Sequence, residues 1–174
     1  MRKIILYIAT SVDGYIARPS GDLSWLPVPE AEDHDYRDFY SSIHTLLIGR
    51  GTYEKALETF EAFPYFDKET FVFARSGIRH LEPTVRRVSG DAVKFVKSLK
   101  GTEGGGIWLV GGAQLIRSLL DARLVDEMYL FLIPTLLGNG IPLFLETKHE
   151  LLLSLNEIKS HHDGVAELRY SVQH

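Results

Sequence analysis

The stretch of residues 107–116 constrains the fold more than any other part of the chain. Four apolar residues run directly into the pair Gly111 and Gly112, and apolar residues at helical spacing then continue to Leu120. This pattern predicts a buried strand, a tight turn and a helix that packs back on a sheet. The glycines allow close backbone approach and leave the first helix amides open to an anion such as a dinucleotide pyrophosphate. A tight turn that binds nothing fits the stretch alone equally well, because a short glycine motif is a weak signal.

Length, charge and composition exclude several classes of protein. The 174 residues fit one domain with a sizeable core, so we predict a single domain over residues 1–174. The formal charge of −4 gives no basic surface of the kind that binds nucleic acid. The chain has no cysteine, which excludes disulfides and catalysis by a thiolate. The chain shows neither a signal peptide nor the run of about 20 apolar residues that a membrane span needs. We therefore expect a soluble cytoplasmic protein.

Strand and helix patterns alternate along the rest of the chain. Besides the strand of the opening stretch, strands are predicted at residues 3–10, 45–48, 69–74, 85–88, 125–134, 151–160 and 166–172. Helices are predicted at residues 29–42, from about residue 50 to 59, after Ser89 as an N-cap, and after Gly112. This order implies an α/β fold with three αβα layers, in which a mostly parallel sheet ends in an antiparallel C-terminal hairpin.

Four segments should converge at the carboxyl edge of this sheet, where open α/β sheets bind their ligands. They are the loop after the first strand and residues 49–52, 75–77 and 111–114. Two of them begin helices beside glycine, and two carry an arginine suited to phosphate. A phosphate-rich ligand across the sheet would explain all four. The loop of residues 12–27 also holds Ile16, Leu23, Trp25 and Leu26, which predicts a loop folded over a pocket.

Other catalytic chemistries have little support in the sequence. The seven histidines show no metal-ligand spacing, and neither a nucleophile elbow nor a P-loop is present. On the first predicted helix, one face is formed by Tyr36, Phe39, Tyr40 and Ile43, and Glu32 and Asp33 fall in the same inward sector. Asp33 is equally open to a proton-donor role and to a role in favouring the helix N-terminus. If a cofactor is bound, it carries the chemistry while the protein orients it.

Several short motifs follow one another along nearly the whole chain. They are residues 9–17 (ATSVDGYIA), 21–26 (GDLSWL), 48–53 (IGRGTY), 110–115 (VGGAQL) and 124–129 (LVDEMY). In this order they resemble the dihydrofolate reductase superfamily, and most of all the C-terminal reductase domain of the riboflavin-biosynthesis deaminase-reductase.

The resemblance implies an NADPH-dependent reductase with a dihydrofolate reductase-like fold. Hydride transfer would go to a small heterocyclic or ribosyl-phosphate substrate, as in a 5-amino-6-(5-phosphoribosylamino)uracil reductase, with residues 12–27 as a lid. Arg75 and Ser76 would approach the adenosine 2′-phosphate. A homodimer is expected, because the riboflavin-type reductases pair and this chain has a long apolar strand and Trp108 to cover. The implied cofactor-binding residues are Ala9, Ile16, Gly49, Arg50, Gly51, Thr52, Arg75, Ser76, Val110, Gly111, Gly112, Ala113, Gln114 and Leu115.

The substrate side departs from both better-known subgroups. Val110 stands where the riboflavin reductases carry an acid, and Tyr15 stands where they carry lysine. Counting back from Gly49 places Asp33 where a dihydrofolate reductase keeps its pterin-binding acid, so Asp33 is the candidate catalytic residue. The alternatives are a dihydrofolate reductase and a nucleotide-binding module without catalysis.

Overall fold

The computed structural model describes residues 1–27, 34–60 and 63–174. The strands are β1 (Ile4–Ser11), β2 (Tyr15–Ala17), β3 (Ile43–Gly49), β4 (Glu69–Phe73), β5 (Val85–Val88), β6 (Gly106–Gly111), β7 (Glu127–Ile133), β8 (Ile141–Pro142), β9 (Leu153–Ser160) and β10 (Ala166–Val172). The helices are α1 (His34–Ser42), α2 (Arg50–Thr59), α3 (Ala92–Lys100) and α4 (Ala113–Asp121).

Eight strands form one sheet in the order β5-β4-β3-β6-β1-β7-β10-β9. The six strands from β5 to β7 are parallel, and β10 runs antiparallel to both β7 and β9. The chain builds outward from β1 to β5 and then returns to insert β6 between β3 and β1. The predicted α/β fold with an antiparallel C-terminal hairpin is confirmed.

The sheet is covered on both faces because its central strands are apolar on both sides. One face carries Ile4, Leu6 and Leu109, which pack with α3 and α4 in the largest core cluster. The opposite face carries Ile5 and Trp108, which pack under α1. Tyr53 of α2 belongs to a third cluster that packs on this face beyond β3. Three layers therefore follow from β-rich apolar strands that alternate with amphipathic helices.

The burial of Trp108 removes one argument for a dimer. The sequence suggested that this apolar side chain needs to be covered by a second copy of the chain. In the structure it is only 5% exposed, and its indole Nε1 donates to the carbonyl oxygen of Tyr7 at 3.0 Å. Rings of α1 pack across it, with Phe39 at 5.3 Å between ring centres. The chain itself buries Trp108, so this residue gives no reason to expect a dimer.

Three local details differ from the sequence predictions. Asp91 caps α3, because its carboxylate accepts from the amides of Val93 and Lys94 at 2.9 and 3.1 Å; the prediction of Ser89 was wrong. A small antiparallel sheet of β2 and β8 was not predicted. Ile43, grouped with the face of the first helix, begins β3. Among the described residues, no helix combines the length and apolarity that a membrane crossing requires.

Candidate active site

Two glycine turns meet at the centre of the carboxyl edge. A Cβ atom built on Gly49 would lie 3.4 Å from the carbonyl oxygen of Gly111 and from the amide of Gly112. Gly111 has a φ of 137°, a conformation that side chains with a Cβ atom rarely adopt. The end of β3 and the turn between β6 and α4 therefore approach each other through backbone alone, as the two motifs predicted.

Two helix N-termini open at this point. The N-caps of α2 and α4 are Gly49 and Gly112, and neither has a side-chain capping bond. The amide of Gly112 donates instead to Thr52 Oγ1 at 3.1 Å, which ties the two turns together. The first-turn amides of a helix have no partner within the helix, and they and the positive end of the helix dipole favour an anion. This edge can hold a pyrophosphate between two helices.

A cavity of about 1180 Å³ lies over these turns. Its size exceeds the range usual for drug-sized ligands and suits an extended one such as a dinucleotide. Thirteen of the fourteen residues predicted to bind the cofactor line it, and Ser76 is the exception. Those residues are Ala9, Ile16, Gly49, Arg50, Gly51, Thr52, Arg75, Val110, Gly111, Gly112, Ala113, Gln114 and Leu115.

The two arginines have different surroundings. The Arg50 guanidinium already has two partners within the chain. Its Nη1 donates to Ser76 Oγ at 2.6 Å, and its Nε lies 3.4 Å from a carboxylate oxygen of Glu54. Ser76 thus holds Arg50 rather than facing the cavity. Arg75 is exposed at the end of β4 and lines the cavity itself. Arg75 is therefore the better placed of the two to meet a second phosphate.

The loop after β1 covers the cavity, as its apolar residues predicted. Ile16, Leu23 and Leu26 line the cavity, together with Ile141 of β8. The pairing of β2 with β8 fixes this loop to the segment that follows β7. Asp13 adds a second link, because its carboxylate accepts from the amides of Leu137 and Gly138 at 3.1 and 2.7 Å.

Hydrogen bonds at this link lower the pKa of Asp13, first of all the bond of 2.6 Å that it accepts from Ser11 Oγ. The carboxylate form is therefore the one that holds the two loops together. The loop, β2, β8 and Asp13 together form the lid of the cavity.

Sequence reasoning missed the part of the cavity that follows β5. Ser89, Gly90 and Asp91 line it, as do Lys55 and Glu58 on the exposed side of α2. The signal was available, because β5 lies beside β4 and its carboxyl end reaches the same edge. Ser89 had been considered only as a helix cap. Asp91, the residue that does cap α3, also lines the cavity.

The face of the sheet under α1 carries aromatic residues beside Ala9. Tyr7 stacks on Phe39 of α1 with 4.2 Å between ring centres, and Phe131 lies 4.6 Å from the Tyr7 ring. Strand register aligns Ala9 with Phe131 and then with Glu167, so the three side chains share one row and one face. This row joins the cavity to the C-terminal hairpin, a connection that the sequence did not reveal.

A catalytic acid and metal ligands are the remaining groups that a site of this kind could use. Asp33, the candidate catalytic acid, lies outside the described residues, so its role stays a prediction. Within residues 1–27, 34–60 and 63–174, no group of three or more histidine, cysteine or carboxylate residues could hold a metal ion.

Comparison with known proteins agrees with this geometry. A model of the RibD C-terminal domain matches residues 66–166. The chain belongs to the RibD C-terminal domain family. The uncharacterized protein YwjB of Bacillus subtilis is 39% identical over 170 residues, which are 97% of each chain. The uncharacterized Bacillus subtilis protein YyaP is 29% identical over 184 residues, 97% of this chain and 94% of its own.

Solved structures show the same fold. A putative riboflavin biosynthesis protein from Shewanella superposes with a TM-score of 0.86 at 29% identity over 99% of both chains. A deaminase/reductase from Thermotoga maritima superposes with a TM-score of 0.71 at 17% identity. The superposition covers 98% of this chain and 56% of that protein. A dihydrofolate reductase from Enterococcus faecalis, complexed with NADP(H), gives 0.66 at 18% identity over 99% and 97% of the two chains. The last two share the fold of this RibD C-terminal domain family member.

Proposed function

We propose that this protein is an NADPH-dependent reductase of the riboflavin-biosynthesis reductase type. It would reduce a small heterocyclic or ribosyl-phosphate substrate by hydride transfer. The observation that carries the proposal is the pair of glycine turns at Gly49 and Gly111, whose uncapped helices open into a cavity large enough for a dinucleotide. The match to the RibD C-terminal domain supports the reductase class.

The residues present fit a nicotinamide dinucleotide phosphate. Backbone amides at the starts of α2 and α4 would hold the pyrophosphate, because the N-cap residues Gly49 and Gly112 have no side chain of their own to occupy them. Arg75 would pair with the 2′-phosphate, and Ile16 and Ala9 would flank the nicotinamide. The bound cofactor would supply a hydride. The lid would exclude water from the reacting atoms.

Arg75 allows a direct test of the cofactor. Arg75→Ala should weaken NADPH binding about 10- to 100-fold, the value of one charge-assisted hydrogen bond of about 1.5–3 kcal/mol, and leave NADH binding almost unchanged. Fluorescence titration of both cofactors measures the effect. Arg79→Ala is the matched control, because Arg79 is exposed on the same loop but does not line the cavity. Equal losses for NADPH and NADH in Arg75→Ala would remove the 2′-phosphate role.

Turnover is tested separately from binding. The protein with NADPH is offered ribityl-aminopyrimidines and dihydropterins, and oxidation of NADPH is followed by absorbance. Reduction of an aminopyrimidine supports the proposal, and reduction of dihydrofolate alone would favour a dihydrofolate reductase. NADPH binding without oxidation by any compound would favour a nucleotide-binding module without catalysis, and failure of the wild-type protein to bind NADPH would refute the reductase proposal.

A further inference from the structure

Glu167 is an acid buried in the sheet beside the candidate site. Its side chain is 1% exposed on β10. One carboxylate oxygen accepts from Arg169 Nε at 2.5 Å, and the other lies 3.1 Å from His161 Nε2. A buried carboxylate is costly unless it is paired and hydrogen-bonded, so both neighbours are needed to hold it there.

His161 is oriented by this carboxylate. A carboxylate only accepts hydrogen bonds, so the contact assigns a proton to Nε2 and leaves Nδ1 as the second functional nitrogen. Among the described residues, none forms a hydrogen bond with Nδ1. The side chain is 29% exposed, so the ring is held on one side and open on the other. A histidine fixed in this way through one nitrogen can exchange a proton through the other.

Strand register places this pair near the candidate hydride-transfer position. Ala9, Phe131 and Glu167 lie on three neighbouring strands in one row. With strands about 4.8 Å apart, Ala9 and Glu167 are about 10 Å apart. The ring of His161 lies 6.3 Å from that of Phe131, between centres. A heterocycle lying on Phe131 would therefore have Ala9 at one end and His161 at the other.

We propose that His161, positioned by Glu167, is the proton donor of the reduction. The inference rests on the proposed reductase function. The substrate carbon of a C=N bond gains the hydride and its two electrons, while the π pair moves to nitrogen. That nitrogen takes the proton from Nδ1 of the imidazolium, and the neutral imidazole then takes up a proton from solvent. The substrate gains two hydrogens, one as the hydride that the nicotinamide cofactor would supply on being oxidised, and one as the proton from His161.

The charges around His161 are compatible with this role. Lys159, at the end of β9 just before His161, is paired with Asp35 of α1 at 2.9 Å, so its charge is largely balanced. Phe131 on β7 contributes no charge. The titratable and charged groups on the elements packed around His161 are Glu167 and Arg169 on β10, Lys159 and Glu157 on β9, Tyr129 on β7, Asp35 on α1, and His162 and Asp163 in the hairpin turn.

A purely structural role is the alternative. The backbone amide of His161 donates to the carbonyl oxygen of Val165 at 2.8 Å, so the pair could simply close the β9–β10 hairpin. In that case replacement of His161 would lower stability and leave the pH dependence of turnover unchanged. If His161 is the proton donor, its replacement changes the pH dependence of turnover. The pH profile therefore separates the two roles.

The experiment uses His161→Gln, with His162→Gln as the matched control on the exposed side of the same turn. NADPH affinity is measured first and should be unchanged in both variants. With the compound that wild-type protein reduces, kcat of His161→Gln should fall about 100-fold or more, the usual contribution of general acid catalysis. The wild-type protein should lose rate at high pH, and this fall should be absent in His161→Gln. His162→Gln should keep both the rate and the pH profile.

A second readout needs no turnover. In ¹⁵N NMR spectra of the wild-type protein, His161 should show one dominant tautomer, with the proton on Nε2. Glu167→Gln should give a mixture, because an amide can donate as well as accept. If NADPH binds and His161→Gln keeps the wild-type rate and pH profile, the proton-donor proposal is overturned while the reductase stands. If wild-type protein does not bind NADPH, the reductase proposal itself fails, and the proton-donor role fails with it.

Discussion

Gly140 offers a sharp test of how the lid is held. A Cβ atom built on Gly140 would lie 2.3 Å from the carbonyl oxygen of Ala17 and 3.1 Å from two atoms of the Tyr15 side chain. Real Cβ atoms essentially never approach closer than 3.0 Å, so Gly140→Ala must move β2 and β8 apart by about 0.7 Å. The obstacle is backbone, which cannot rotate away as a flexible side chain would.

The expected cost follows from this geometry. Overpacking of this kind costs about 1–3 kcal/mol. Taking about 2 kcal/mol, Tm should fall by about 4–8 °C in a chain of this size. The strain can also be relieved by displacement of the lid, because β2 and β8 form their own small sheet outside the eight-stranded one. The fall in Tm is therefore an upper limit, and the main effect should be on the lid.

Binding and hydrogen exchange report that effect. Ile16 lies on β2 and lines the cavity, so displacement should weaken NADPH binding at least several-fold in a fluorescence titration. The amide of Leu143, which donates to the carbonyl oxygen of Gly14 at 2.8 Å, should exchange faster. The amide of Ile107, which donates to the carbonyl oxygen of Lys3, should keep its rate because it lies in the central sheet.

The control is Gly77→Ala, since a Cβ atom at Gly77 meets nothing within 4 Å and the residue does not line the cavity. It should leave Tm, NADPH affinity and exchange unchanged. If Gly140→Ala also leaves all three unchanged, the close approach of β2 and β8 is not what holds the lid, and the reasoning is wrong.

Three further changes test the rest of the molecule. Lys100→Met leaves the half-buried Asp126 carboxylate without its partner at 2.6 Å, so unfolding free energy should fall by about 3 kcal/mol in urea titrations, while the exposed Lys97→Met should have little effect. Thr52→Val removes the acceptor of a cavity amide and should cost about 1 kcal/mol by the same measurement, with weaker NADPH binding. Lys159 lowers the pKa of Asp35, mainly through their hydrogen bond, so this stability is present above the unfolded pKa and is lost as pH falls through the folded one. The pair is exposed, so its contribution to stability is below about 1 kcal/mol. Asp35→Asn should reduce the loss of stability between neutral pH and pH 3 by this small amount. The same loss of stability in Asp35→Asn and in the wild-type protein would contradict the pairing.

The cofactor side of the site could be predicted because its signals are local. Gly49 and Gly111 each follow an apolar strand and precede a helix, so one short window of sequence contains the whole turn. The carboxyl-edge rule then brings such windows together without any knowledge of strand order. The same rule would have placed Ser89 in the cavity, because Ser89 directly follows the strand predicted at residues 85–88.

Other features could not be predicted from local patterns. β2 and β8 have three and two residues, too few to show a strand period. Ser89 and Asp91 are both good N-cap residues, and only the bonds from Val93 and Lys94 decide between them. The burial of Trp108 depends on α1, an element more than sixty residues away in the chain.

The proposed substrate side differs from the cofactor side in its physical basis. Glu167 becomes a buried neighbour of Phe131 only because β10 returns antiparallel beside β7, which no window of sequence records. The cofactor side rests mainly on backbone at Gly49 and Gly112, which side-chain changes elsewhere leave in place. The proposed proton donor rests on one side-chain pair at the end of a hairpin. Substitutions at His161 and Glu167 should therefore change which substrate is reduced, or whether any is, while NADPH binding persists.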